Sequence, residues 1–243
     1  MTEKINTTNF LQFSRNILEI DGLSIQFPGE VNPDQARSIE LREDRARFWN
    51  LLVTYTPKSN FQVSCGEDLY ILDVGCGICN EAIVLSSFFS GNGFEDFSSS
   101  VGILGIDLHE GLIESAKASV RLINQGNEDR LIAKFVCGDA TNLSQYPQVP
   151  DALNIIVIRH QELINGSKVW RSIIEETFSR LKANGLGIIT SYSKEEQASL
   201  KLVLSDLDLQ ILVNEKNIHG RPTRVEGVTI DNFITIVGKK VDA

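Results

Sequence analysis

The chain has 243 residues, 42 % hydrophobic and 23 % charged, proportions that suit one globular α/β domain with a terminal addition. Its formal net charge of -9 repels polyanions, so nucleic acid and anionic membrane surfaces are disfavoured as partners. No stretch approaches the ~20 apolar residues that cross a bilayer, and Met1–Phe13 lacks the basic head and apolar run of a secretory signal. The four cysteines, Cys65, Cys76, Cys79 and Cys137, are therefore expected as reduced thiols in a cytoplasmic protein.

Ile17–Phe27 alternates loosely and reads as short extended structure, followed by a loop marked by Pro28, Gly29, Asn32 and Pro33. From Asp34 to about Tyr55 the composition is helical, with Ala36, Ile39, Ala46, Trp49 and Val53 predicted near one face. Pro57–Gly66 reads as a linker. Residues 1–66 are thus set apart as a helical and irregular N-terminal extension, a candidate substrate lid, and 67–243 as the main domain.

From Leu69 strands alternate with helices. Leu69–Val74 is a buried strand, Asn80–Phe89 a helix, and Ser90–Ser100 a Gly- and Ser-rich surface insertion. Val101–Ile106, Leu131–Val136 and Leu153–Ile158 are further strands, with a helix over Glu110–Asn124. Ser167–Leu181 has helical periodicity (Val169, Ile173, Ile174, Phe178, Leu181), and Asn184-Gly185 is expected to stop it. Leu186–Tyr192 is a strand and Lys194–Leu207 a helix. Leu209–Val213 and Asn232–Val237 have no helical pattern between them and are expected as an antiparallel pair.

This alternation predicts a doubly wound α/β fold, a mostly parallel seven-stranded sheet covered on both faces. Ligands then sit beyond the carboxyl ends of the strands, where the strand order reverses. At the first such end stands Asp73-Val74-Gly75-Cys76-Gly77-Ile78-Cys79-Asn80. Gly75 and Gly77 lack a Cβ, so the backbone there turns sharply and lets a ligand approach closely. A dinucleotide-binding loop would place its third glycine at position 80, where Asn80 stands. The second strand ends in Asp107, 34 residues after Asp73, a spacing stretched by the Ser90–Ser100 insertion. The third ends in Cys137-Gly138-Asp139-Ala140. Read alone, each of these segments also suits a turn or a helix cap without a ligand.

Together they resemble the class I S-adenosylmethionine-dependent methyltransferases over roughly residues 69–240. The acidic residue and alternating glycines of the family's first motif match Asp73, Gly75 and Gly77, with Cys79 where a third glycine usually falls. Cys79 is expected to narrow the loop slightly. The resemblance implies a Rossmann-like domain binding S-adenosyl-L-methionine through Asp73, Gly75, Cys76 and Gly77. It further implies that Asp107, with Leu108 beside it, takes the ribose hydroxyls, and that Asp139 and Ala140 meet the adenine. The implied activity is methyl transfer, most simply to an oxygen or nitrogen of a small molecule. RNA or protein acceptors, transfer of a different group such as aminopropyl, and a catalytically inactive binding protein are the alternatives.

The fourth strand is expected beside the first, so that Arg159-His160-Gln161-Glu162 at its end faces the reacting group. An unperturbed imidazole titrates near ~6.5, which suits His160 as general base. Arg159 has the planar fork to bind a substrate carboxylate or phosphate. Both also suit simple bracing of the loop, and methyl transfer can proceed by proximity alone. His109 is expected as a neighbour of the adenine or ribose. His219, Arg221 and Arg224 lie in a loop that is either solvated or a substrate rim. Cys76 and Cys79 form a C-x-x-C pair without a second pair, so no metal site is expected. Their place near a helix N-terminus suggests some thiolate character.

Overall fold

Short runs of Leu, Ile and Val flanked by turn residues bury both faces of a strand, and the chain contains one after another of them. In the computed structural model, which describes residues 33–61, 68–92, 100–125, 131–207, 209–223 and 228–240, these runs assemble into a seven-stranded sheet. The extended segment expected at Ile17–Phe27, Cys65, Arg224 and most of the Ser90–Ser100 insertion lie outside the described residues.

In chain order the elements are α1 (Pro33–Tyr55), β1 (Leu69–Val74), α2 (Ala82–Ser87), β2 (Val101–Asp107), α3 (Glu110–Gln125), β3 (Ile132–Cys137) and β4 (Leu153–Ile158). Then come α4 (Ser167–Ser179), β5 (Leu181–Ser191), α5 (Lys194–Ser205), β6 (Leu209–Lys216), β7 (Arg221–Pro222), β8 (Thr229–Ile230) and β9 (Phe233–Lys239). The sheet order is β3-β2-β1-β4-β5-β9-β6. β1 pairs in parallel with both β2 and β4, so the order reverses between β1 and β4 and opens a crevice at their carboxyl ends. β9 runs antiparallel to β5 and to β6, as expected of the last two long strands. β7 and β8 form a separate small ladder that the sequence did not suggest.

Two apolar layers flank the sheet. One packs β-strand residues against Phe48 and Leu52 of α1, Leu85 of α2 and Ile113 of α3. The other packs them against Ile173, Ile174 and Phe178 of α4 and Leu200 and Leu204 of α5. Helix α1 therefore belongs to the core: Phe48, Trp49, Leu51, Leu52 and Tyr55 are all buried. Each such side chain contributes roughly 1.5–3 kcal/mol. The buried face departs from the expected one, for Ala46 is exposed and Val53 half-buried. The helix is rotated so that its aromatic residues, with the greater apolar area, point inward; Trp49 meets Phe88 edge to face at 5.5 Å.

The Asn184-Gly185 stop is also corrected. Helix α4 ends at Ser179, because Leu181 already pairs with Leu153 and the Leu153 N–H donates to the Arg180 carbonyl at 2.9 Å. Strand pairing overrides the local stop signal.

Candidate active site

Beyond Val74 the chain bends into the glycine loop, and the bend is tied to its neighbour. The N–H groups of Gly75 and Cys76 both donate to the Ile106 carbonyl, at 2.8 and 3.1 Å. Gly75 and Gly77 have φ of 66° and 53°, in the region that costs an L-residue strain. Cys79 holds φ of 50° and so keeps the backbone shape a glycine would give. The expected narrowing does not occur, since the Cys79 side chain is buried in the core and its Sγ donates to Asp73 Oδ2 at 3.2 Å. Asp73 itself is buried, and burial together with the Glu81 carboxylate pushes its carboxyl well above the usual range.

The thiolate expectation is likewise corrected. The hydrogen bond with Cys76, burial and the nearby Asp73 carboxylate raise Cys79 well above the ordinary thiol range. Cys76 is also raised: the Cys79 hydrogen bond lowers it, but burial and Asp73 outweigh that. Both are protonated thiols at neutral pH.

Asp107 knits the loop to the second strand. Its Oδ2 accepts the Gly77 N–H at 2.9 Å and its Oδ1 the His109 N–H at 2.8 Å, at the start of α3. A carboxylate has about four lone-pair sites, so capacity for further donors remains. Leu108 stands exposed beside it, as does His109. At the third strand end Asp139 is exposed and accepts the Thr141 N–H at 2.9 Å, while Ala140 is buried. The Asp139 N–H donates to the Tyr146 hydroxyl at 2.8 Å.

Arg159 is buried, and both terminal nitrogens of its guanidinium meet the chain's own carboxylates, while its Nε has no partner among the described residues. Its Nη2 lies 2.6 Å from Asp231 Oδ2 and 3.1 Å from Asp44 Oδ1, and its Nη1 lies 3.3 Å from Glu81 Oε1. The guanidinium also stacks over the Phe48 ring, 4.4 Å from its centroid. The fork expected for a substrate anion thus joins α1, the start of α2, the end of β4 and the turn between β8 and β9. Burial opposes ionisation of Asp44 and Asp231, but the Arg159 charge outweighs it and holds both below the usual carboxylate range. Asn80 strengthens the same junction, donating to the Leu41 carbonyl at 3.0 Å and to Asp44 Oδ2 at 3.2 Å while accepting from Arg45 Nε at 2.7 Å.

His160 follows on the open side, its side chain 37 % exposed, with Nε2 3.3 Å from Asp231 Oδ1. The Tyr192 ring lies 5.7 Å away, and burial with the Asp231 charge pushes the Tyr192 hydroxyl up to about 12. His219 sits apart, with Nε2 2.9 Å from Thr54 Oγ1; burial lowers its pKa. Arg221 is half-buried.

Solved structures share this architecture. An S-adenosylmethionine-dependent methyltransferase from Clostridium acetobutylicum ATCC 824 aligns over 95 % of this chain and 98 % of its own, at 11 % identity and a TM-score of 0.56. One from Methanosarcina mazei aligns over 77 % of this chain and 99 % of its own, at 17 % identity and 0.55. A ribosomal protein L11 methylase from Lactobacillus delbrueckii subsp. bulgaricus aligns over 78 % of each chain, at 16 % identity and 0.51. This chain has the Rossmann-like methyltransferase fold. No protein-family model and no curated protein matches the sequence. At these identities the methyltransferase likeness is one of fold.

Within the methyltransferase fold, the predicted Asp73, Gly75, Cys76, Gly77, Asp107, Leu108, Asp139 and Ala140 line up along three adjacent strand ends, with Arg159 and His160 at a fourth. Sequence reasoning missed Asp44, Glu81 and Asp231, which surround Arg159 from three separate elements. Only Glu81 carried a signal, standing directly after the glycine loop. It also missed Trp170, whose ring would lie 3.7 Å from a Cβ placed on Gly75.

Proposed function

We propose that this protein transfers the methyl group of S-adenosyl-L-methionine to an oxygen or nitrogen of a small-molecule acceptor. The observation that carries the reading is the glycine loop at the sheet's reversal point, left-handed at Gly75, Gly77 and Cys79, with the Trp170 ring beside Gly75. A Cβ on Gly77 would meet nothing within 4 Å among the described residues, so the residues present fit an adenosyl amino acid against the main chain. When bound, that cofactor would supply a methyl group on a positively charged sulfur, for an acceptor lone pair to take while the neutral thioether leaves.

Gly75, Cys76 and Gly77 would hold it through the main chain, with Asp73 beneath shaping the bend. Asp107 would accept the ribose hydroxyls while keeping the Gly77 N–H, with Leu108 against the base and Asp139 and Ala140 at its edge. His160 would take the acceptor's proton. Arg159 acts by position, locking α1 onto the loop. Residues 1–66 would then wall the crevice, and 67–243 supply the binding domain. No helix among the described residues is long and apolar enough to cross a membrane, and protonated Cys76 and Cys79 suit a reducing compartment such as the cytoplasm. A protein acceptor is the second reading, favoured by the likeness to a ribosomal protein methylase; the charge of -9 counts against RNA.

Titration calorimetry with S-adenosylhomocysteine tests the reading. Binding with Kd well below ~1 mM is expected. An absence of heat at that concentration would remove the proposal.

A further inference from the structure

The contact between His160 and Asp231 lies 71 positions apart in sequence and joins the end of β4 to the turn before β9. Both partners hold left-handed backbone, with φ of 60° at His160 and 51° at Asp231, and neither is glycine. Two strained residues meeting side chain to side chain at a crevice is a costly arrangement for a plain loop contact. The Asp231 carboxylate is fixed on both oxygens. Its Oδ2 accepts from Arg159 Nη2 at 2.6 Å, and its Oδ1 accepts from the Thr190 hydroxyl at 2.6 Å. Its carbonyl accepts from Asn217 Nδ2 at 2.8 Å. The Asp231 side chain is 9 % exposed and that of His160 37 %, so the imidazole meets a buried carboxylate at Nε2 and keeps part of its surface in solvent.

We propose that Asp231 is a positioning residue that receives the Nε2–H of His160, leaving the Nδ1 lone pair to accept the proton of the methyl acceptor. The inference rests on the methyl-transfer reading above, and deepens it by assigning the ring nitrogen. The bond lost is the acceptor's bond to hydrogen and the bond formed is Nδ1–H; the imidazolium then releases its proton to solvent at the exposed edge. Arg159 is a donor only, and its charge keeps Asp231 an acceptor only, so a neutral His160 has to carry its proton on the nitrogen that faces Asp231. The remaining groups around the ring agree with this. Tyr192 stays a neutral phenol beside it. Glu196 of α5 turns its oxygens to the N–H groups of Leu163 and Tyr192, at 3.0 and 2.7 Å.

The chain has three histidines, so the test is spectroscopic and needs no acceptor. In the intact ¹⁵N-labelled protein, the signals lost in His160→Gln identify the His160 ring, and long-range ¹H–¹⁵N correlations show which nitrogen bears the proton. Wild type is expected to show an Nε2–H slowed in solvent exchange. In Asp231→Asn, Arg159 keeps the amide oxygen on its side and turns the NH₂ toward His160. The tautomer is then expected to invert to Nδ1–H. A wild-type ring proton exchanging as fast as a free imidazole's, or an unchanged tautomer in Asp231→Asn, overturns the assignment; the wild-type result stands even where the variant fails to fold. Calorimetry on the same samples separates the two levels. Wild type that binds no S-adenosylhomocysteine overturns methyl transfer, and with it the catalytic use of His160. Binding with the wrong tautomer overturns the role of Asp231 alone.

Discussion

Replacing Arg159 with methionine removes one buried cation from among three carboxylates at 2.6, 3.1 and 3.3 Å. Methionine matches much of the volume and keeps contact with Phe48, so the loss is chiefly electrostatic. Stranding buried partners of a broken ion pair costs about 3–5 kcal/mol, a large share of the ~5–15 kcal/mol that holds a domain together. For a chain of this size the melting temperature is expected to fall by about 6–20 °C. The pH dependence gives the stricter check. In wild type, Asp44 and Asp231 have depressed pKa values, so their contribution is present above the unfolded carboxylate value near ~3.9 and lost as pH falls below it. In Arg159→Met the sign inverts. Without the cation, burial and mutual repulsion raise the folded carboxylates, the folded state binds more protons than the unfolded, and stability falls as pH rises above the unfolded carboxylate value. Urea unfolding of both proteins at pH 5 and pH 8 should therefore show the wider gap at pH 8. A gap below ~1 kcal/mol there, typical of a surface pair, or one equal at both pH values, would refute the reasoning.

Gly77→Ala meets no steric obstacle among the described residues but must hold φ of 53°. It should cost about 1–2 kcal/mol in chemical denaturation and weaken S-adenosylhomocysteine at least ~10-fold by calorimetry, because the new methyl fills the hollow. Gly105→Ala would place its Cβ 2.7 Å from Cys76 Sγ and 2.8 Å from Phe135 Cδ1, so a loss of about 1–3 kcal/mol is expected in the same denaturation assay. Asp107→Ala frees the Gly77 and His109 N–H groups. Losing charged hydrogen bonds of ~1.5–3 kcal/mol predicts roughly 10–150-fold weaker S-adenosylhomocysteine binding, and an unchanged Kd would count against Asp107 as a ligand. The chain has two tryptophans, so Trp49→Phe leaves Trp170 beside Gly75 as reporter, and its emission should shift when S-adenosylhomocysteine is added.

The parts of this protein governed by local pattern were legible in advance. Leu69–Val74 and Leu153–Ile158 are unbroken apolar runs, and nothing competes with a buried strand for them. Gly75 and Gly77 announced the turn for the same reason. Cys79 did not, since nothing in a cysteine reveals that a buried Asp73 waits to accept its S–H and help hold the left-handed backbone. The end of α4 was misplaced because its true limit is set by a partner strand distant in sequence. Arg159 was noticed but its partners were not: Asp44 lies 115 positions before it and Asp231 72 after it, and only the folded topology makes them neighbours. A surface aspartate and a buried one read alike in sequence.

The position of β9 has a consequence for how the molecule is made. This strand is synthesised after β6 yet lies between β5 and β6, hydrogen-bonded to both. A nascent chain that has released β6 therefore has no neighbour to receive it, and the far side of the sheet stays open until the final strand emerges. Asp231, two residues ahead of that strand, arrives in the same late step. Until then Arg159 is short of a counter-ion, so completion of the sheet and of the ionic junction coincide. A ribosome-stalled chain halted before residue 231 should accordingly remain protease-sensitive, a dependence on distant pairing that delays folding.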